Sequence, residues 1–281
     1  MGLVQQSWLA LIIGNSRWHW GAFEGDRWLG AWHTAPLTAA QVQQLQEGRF
    51  AIAVWWQLGI NPALPADRPD SLWSPQTYPP LWMASVVASP VDWLADYPRL
   101  NRVETAQVPL QNTYPTLGVD RALALVGAGE TWGWPVLVID CGTALTFTAG
   151  VDQRLIGGAI VPGLRSQFRA LHAHTDQLPA LDLSADLTLD PWPQRWATNT
   201  AGAIASGVWH TQLASMGDFI AAWQADWPEG AIVLTGGDST AFYQVLKQQS
   251  PKAQRIHHDP DLGFWGLRVC RRQQGENNPS L

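Results

Sequence analysis

The sequence predicts an α/β protein made of two related halves that face a common cleft. Three observations lead there. Each half opens with a strand hairpin or meander and then alternates helix with strand. A glycine-bearing turn follows directly on an apolar strand at Gly14, at Gly142 and at Gly236. The chain has 281 residues, 46% of them hydrophobic, which suits one large or two moderate domains with a substantial core.

In chain order, Trp8 to Ile13 is a continuous apolar run ending at Gly14-Asn15-Ser16, which reads as a buried strand and a tight turn. Arg17 to Phe23 and Arg27 to His33 read as return strands around Glu24-Gly25-Asp26. Thr38 to Glu47 has helical character, with Thr38 as its N-cap. Phe50 to Trp56 reads as another strand, 58–80 as a proline-rich irregular connection, and Trp82 to Ala88 as a strand again. The second half starts near Tyr114, with a helix from Val119 toward Thr131 and a strand at 135–139. A hairpin then pairs 145–149 with 154–156, and helices follow at about 164–173 and from Thr200 to about Trp223. Residues 231–234 form a buried strand, a helix runs on to about Lys247, and the polar stretch 273–281 reads as frayed. The expected domains are 1–114 and 115–270, with 271–281 as a tail.

Composition excludes several classes. Net charge is −6, the only lysines are Lys247 and Lys252, and no basic run exists, which argues against nucleic acid or an anionic membrane as partner. Cys141 and Cys270 lie far apart without metal-ligand spacing, arguing against a zinc site or a disulfide framework and for a reducing cytosol. Trp8 to Ile13 is too short for a signal segment or a span, and no other stretch reaches membrane length, so a cytoplasmic location is expected. The 18 tryptophans are scattered from Trp8 to Trp265, a pattern of core and interface filling rather than a binding belt.

Four motifs can carry chemistry. Asp140-Cys141-Gly142-Thr143 ends a strand with a carboxylate and turns through glycine, which can hold a phosphate and Mg²⁺; the plain alternative is a hairpin turn. Thr235-Gly236-Gly237-Asp238 offers bare main chain to a nucleotide, or is a strand-to-helix connection capped by Asp238 or Ser239. Gly118-Val119-Asp120-Arg121, after Tyr114 and Pro115, sets a carboxylate base beside an anion-clamping guanidinium; alternatively Asp120 only complements a helix dipole. Gly157-Gly158-x-Ile160-x-Pro162-Gly163 holds the backbone on both sides of one apolar side chain, as a substrate wall, a subunit contact or a bulged turn. His172 and His174 are two apart in a helix and point to different faces, so they do not make a metal pair. Neither a P-loop nor a Rossmann fingerprint is present.

In this order the segments resemble the type III pantothenate kinases, of the actin-like, sugar-kinase and acetate-kinase fold. The residues carrying the resemblance are Gly14-Asn15-Ser16, Gly118-Val119-Asp120-Arg121, Asp140-x-Gly142-Thr143-Ala144-x-Thr146 and Gly157-Gly158-x-Ile160-x-Pro162-Gly163. Asn199-Thr200-x-x-Ala203-Ile204-x-Ser206-Gly207, Thr235-Gly236-Gly237-Asp238 and Asp261-Leu262-x-x-x-Gly266-Leu267 complete the set. The resemblance implies two actin-like (ribonuclease H-like) domains with a cleft between them. It also implies ATP-dependent phosphorylation of pantothenate to 4′-phosphopantothenate, the first step of coenzyme A biosynthesis, by a homodimer needing Mg²⁺ and K⁺ or NH₄⁺. By position it makes Asp120 the general base and Tyr114, Gly118, Arg121 and Thr200 the pantothenate contacts, with Thr200 closing the site from the partner subunit. Gly14, Asn15 and Ser16 become the first phosphate loop, Gly142 and Thr143 the second with Asp140 on the metal side, and Gly236 and Gly237 the nucleotide contacts.

Two positions depart from the family pattern. The first loop usually carries an aspartate where this chain has Ile12, and the second closes with an aspartate where it has Thr148. An isoleucine cannot ligate a hard cation, which points to weaker metal binding or altered kinetics. The alternative is a non-catalytic member that binds nucleotide or pantothenate in a regulatory role. The intact Asp120-Arg121 pair favours the enzyme. A sugar or acetate kinase of the same fold ranks last, because it should lack the substrate-side motifs.

Overall fold

A computed structural model describes residues 6–64, 77–88, 92–181, 192–249 and 255–277 of the protein. The chain forms two compact units. The described residues of the first fall within 1–109, 113–127 and 263–281, and those of the second within 110–112 and 128–262. The sequence-based division at 114/115 distributes two segments differently, since 113–127 and the residues after 262 pack with the first unit.

The first unit is built on β1 (Ser7–Ile13), β2 (Trp18–Glu24) and β3 (Arg27–Thr34), which form an antiparallel meander. After α1 (Ala39–Glu47) and α2 (Ile52–Gln57), β4 (Leu81–Ser85) and β5 (Leu100–Arg102) add parallel to β1, giving the order β3-β2-β1-β4-β5. A capping box starts α1. The Thr38 hydroxyl accepts the Gln41 N–H at 3.3 Å, and the Gln41 side chain accepts the Thr38 N–H at 2.9 Å. The helix then buries Val42 and Leu45 among Leu9, Leu11, Trp18, Trp20 and Trp55. Trp20 meets Trp55 edge-on at 4.9 Å, so these tryptophans fill the core, each removing roughly 150–250 Å² from water.

The chain leaves the first unit through α3 (Val119–Trp132) and enters the second sheet: β6 (Val136–Cys141), β7 (Ala144–Val151) and β8 (Arg154–Pro162). Then come α4 (Leu164–Ala173), α5 (Thr200–Asp226), β9 (Ala231–Thr235), α6 (Ser239–Gln249), β10 (Ile256–His258) and α7 (Leu262–Asn277). The strand order β10-β9-β6-β7-β8, with β9 and β10 parallel to β6 and the meander antiparallel, repeats the first sheet strand for strand. The two related halves read from the sequence are therefore two mixed five-stranded sheets of one topology. Each puts a hairpin turn after its first strand, at Gly14 and at Gly142.

Several elements differ from expectation. The apolar run Phe50 to Trp56 is helix rather than strand from Ile52 on, because Arg49 and Phe50 adopt φ of 53° and 57° and break the extended chain. The helical period then buries Ile52 and Trp55 and leaves Trp56 outside. Gly157 to Pro162 is neither a bulged turn nor a loop, since β8 runs through it and exposes Ile156 and Ile160 on the sheet edge. The stretch from 273 is not frayed at its start, because α7 continues to Asn277. That helix is held in the first unit by Phe264 and Trp265, whose rings lie 5.3 and 4.9 Å from Trp28. Gly266 lets it approach α3, where a Cβ would come within 2.7 Å of Leu123 Cα. Within 58–80, residues 65–76 lie outside the described residues.

Candidate active site

In the first unit the Gly14 N–H donates to Arg17 O at 3.0 Å and closes the β1–β2 turn, leaving Asn15 and Ser16 exposed at its tip. Two residues before that glycine stands Ile12, the counterpart of Asp140 two residues before Gly142. Ile12 pairs across the sheet with His19, and its Cδ1 lies where a Cβ on Gly263 would sit 2.6 Å away. This hydrocarbon side chain brings no oxygen to the first loop.

The other first-unit group sits at the start of α3. The segment before the helix is tied down by Thr105 Oγ1, which donates to Leu117 O at 2.9 Å, and by the Leu117 N–H, which donates to Tyr114 O at 3.0 Å. Arg121 is buried, and its Nη1 donates to the Tyr114 hydroxyl at 3.0 Å, so the guanidinium is anchored within the unit. Asp120 folds back over Gly118, where a Cβ would sit 2.5 Å from its Oδ1, and that oxygen accepts the Arg121 N–H at 2.8 Å. Burial pushes the Asp120 carboxyl above its ordinary value, against the Arg121 hydrogen bond and charge, which pull it down. Tyr114, Gly118, Asp120 and Arg121 thus form one cluster.

In the second unit Asp140 is flanked by Thr146 on β7 and Thr235 on β9. Its Oδ1 is 3.2 Å from where a Cβ on Gly142 would stand, and it also crowds Gly236. Gly236 has φ of 89° and a Cβ there would meet Cys141 backbone at 2.8 Å, so both the turn and the close approach require glycine. The Asp238 N–H donates to Cys141 O at 3.0 Å, joining the two loops. Arg165 Nε lies 3.7 Å from Asp238 Oδ1. Thr143 O accepts from the Gly163 N–H at 3.0 Å and from Ser166 Oγ at 2.7 Å, and Thr143 itself is exposed. Asp140, Gly142, Thr143, Gly236 and Gly237 are therefore neighbours on adjacent strand ends.

Thr200 lies elsewhere in this unit. It opens α5, which Asn199 caps by accepting the Gly202 N–H at 2.8 Å. Together with Pro162, Gln167, Leu171, Ile204 and Gly207 it lines a 660 Å³ cavity. Both cysteines are free and buried, in keeping with packing roles. Among the described residues no cluster of three or more His, Cys, Asp or Glu side chains is grouped to hold a metal, and no helix is long and apolar enough to cross a membrane. Sequence reasoning passed over Arg165, Ser166 and His258, which no motif marks and which reach these loops only through folding.

Duplicated sheets of this topology, each with a glycine hairpin after its first strand, define the actin-like fold. A solved Baf family transcriptional activator from Campylobacter jejuni shares the fold: it covers 97% of this chain and 100% of its own, with TM-score 0.56 and 18% identity. A 2-dehydro-3-deoxygalactonokinase from Sinorhizobium meliloti covers 95% and 96%, with TM-score 0.51 and 13% identity. Identities this low speak to fold alone. The profile of the type III pantothenate kinases matches residues 8–222. The type III pantothenate kinase of Nostoc sp. is 41% identical over 273 residues, 95% of each chain. That of Synechococcus sp. strain JA-3-3Ab is 38% identical over 268 residues, covering 95% of this chain and 93% of its own. The chain belongs to the type III pantothenate kinase family, and its activity is the ATP-dependent phosphorylation of pantothenate.

Proposed function

We propose that this phosphorylation is carried by the Asp120 cluster on the acceptor side and by the paired Asp140 and Gly236 loops on the nucleotide side. The observation that carries the reading is the Tyr114–Arg121–Asp120 arrangement, a buried guanidinium fixed by a phenol beside a desolvated carboxylate. Asp120 accepts the proton of the pantothenate primary hydroxyl as that oxygen attacks the γ-phosphorus and the bond to the β–γ bridging oxygen breaks, releasing ADP. Arg121, positioned by Tyr114, pairs with the pantothenate carboxylate, and glycine at 118 keeps the approach to Asp120 open. Gly14, Asn15 and Ser16, with Gly142 and Thr143, hold the ATP phosphates, and Gly236 and Gly237 receive the nucleoside on bare main chain.

The donor set also bears on the cations. Asp140 is an oxygen ligand of the hardness Mg²⁺ requires, set beside glycine main chain, so it fits the metal, whereas Ile12 does not. When bound, Mg²⁺ neutralises phosphate charge. The K⁺ or NH₄⁺ requirement rests on the family resemblance. A homodimer is supported by the cavity beside Thr200 and by the exposed Ile156 and Ile160 of the edge strand β8, an apolar surface suited to a second copy. In this reading Thr200 completes the partner's pantothenate site. The two free, buried cysteines support a reducing, cytoplasmic location.

The test is ADP release from the purified protein with ATP and Mg²⁺, with and without pantothenate, in K⁺ and then Na⁺ buffer. Pantothenate-dependent, K⁺-stimulated release is expected. Nucleotide or pantothenate binding without release would replace this reading with the non-catalytic one.

A further inference from the structure

The turn at Gly236 is held by a side-chain relay that the reaction does not explain. Ser239, at the first position of α6 and fully buried, donates its hydroxyl proton to Gly236 O at 2.5 Å, and its N–H reaches the same carbonyl at 3.1 Å. The Ser239 oxygen also lies 2.9 Å from His258 Nε2. A hydroxyl has one proton, and Gly236 O takes it, so Nε2 must carry the hydrogen of this second bond. His258 ends β10, where it pairs with Leu234 of β9, and its ring stacks on Tyr243 of α6 at 5.3 Å. Asp259, the next residue, is anchored by its N–H on Leu234 O at 2.9 Å. The imidazole is thus fixed by its strand, by an aromatic face and by the serine it serves. Its donor role is insensitive to charge, because Nε2 is protonated in both the neutral tautomer required here and the imidazolium.

We infer that His258 and Ser239 are positioning residues for nucleotide binding: the chain His258 Nε2–H to Ser239 Oγ–H to Gly236 O holds the left-handed Gly236 turn in its nucleotide-receiving shape. The inference rests on the reading of Gly236 and Gly237 as the nucleotide contacts. Gly236 pays for its positive φ in backbone freedom, and two hydrogen bonds on one carbonyl select a single geometry for a turn that glycine alone leaves broad. Losing the relay loosens the turn before ATP arrives and leaves pantothenate binding untouched.

The experiment measures steady-state kinetics of the full-length enzyme, varying ATP and pantothenate separately, together with ADP affinity by equilibrium dialysis. His258→Leu should raise the KM for ATP and the Kd for ADP roughly tenfold, the loss of one partly buried hydrogen bond, with the pantothenate KM within about twofold. His258→Gln, which returns an N–H donor at the ε position, should recover most of the loss. Ser239→Ala should reproduce the ATP defect, and adding His258→Leu to it should cost nothing more, because the two act as one chain. A His258→Leu enzyme with unchanged ATP and ADP constants, a glutamine variant no better than leucine, or additive effects would overturn the relay. Should His258→Leu fail to fold, the Ser239→Ala and His258→Gln enzymes decide by the same constants. Gly237→Val separates the underlying reading. If it weakens ATP while His258→Leu does not, the relay alone fails; if neither variant weakens ATP, the nucleotide-loop reading fails and the relay with it.

Discussion

Acidification is expected to destabilise the first unit through one imidazole. His19 lies on β2 between Ile12 of β1 and His33 of β3, with its Nδ1 2.9 Å from Nδ1 of His33. Burial, then the charges of His33 and Arg17, lower its pKa from 6.5 to about 4. The unfolded chain therefore takes up the proton first as pH falls. The stability that neutral His19 permits is intact above pH 6.5 and is lost progressively as pH drops toward 4. The full span corresponds to about 3 kcal/mol, of which about 2 kcal/mol is gone by about pH 5. His33, lowered by burial and Arg17, adds in the same direction. Unfolding of the parent and of His19→Asn, which keeps a polar atom near the Nδ1 position, would be compared at about pH 7 and about pH 5. The parent should lose about 2 kcal/mol more than the variant, roughly 4–8 °C in Tm. Parallel losses, or a His19 ring proton titrating near 6.5 by NMR, would refute the argument that this histidine is held neutral.

Asp120→Asn should retain pantothenate binding and lose turnover by roughly 10²–10⁴, read as kcat against a directly measured Kd; unchanged turnover would remove Asp120 from the role of base. Because burial raises its carboxyl, the acid limb of the parent's rate profile should fall above the ordinary aspartate value of 3.8. Ile12→Asp should lower the Mg²⁺ concentration needed for half-maximal rate, and an unaltered requirement would mean that another ligand serves the first loop. Gly266→Ala should cost about 1–3 kcal/mol of stability, since α7 must back away from Leu123; an unchanged urea midpoint would show that the two helices yield freely.

Much of this protein was legible before folding was considered. The run Trp8 to Ile13, the Thr38 cap and the strand ending at Asp140 are local signals, set by hydrophobic period and turn chemistry, and they survive intact. So do the glycine turns at Gly14 and Gly142, each of which follows its apolar strand. The Phe50 to Trp56 run misled because an unbroken apolar stretch has no period. The left-handed residues Arg49 and Phe50, at its start, decided for helix.

Residue order alone determined the family, set Asp120 beside Arg121 and placed an isoleucine at position 12 ahead of Gly14, since all three lie within contiguous segments. Tertiary structure decided the rest. It buried Arg121 against Tyr114, brought Asp140 against Gly236 from almost a hundred positions away, and returned α7 to the first unit. It also set His258 against Ser239 by pairing β10 with β9. Such contacts follow from strand register and helix packing between distant segments, which no local pattern encodes.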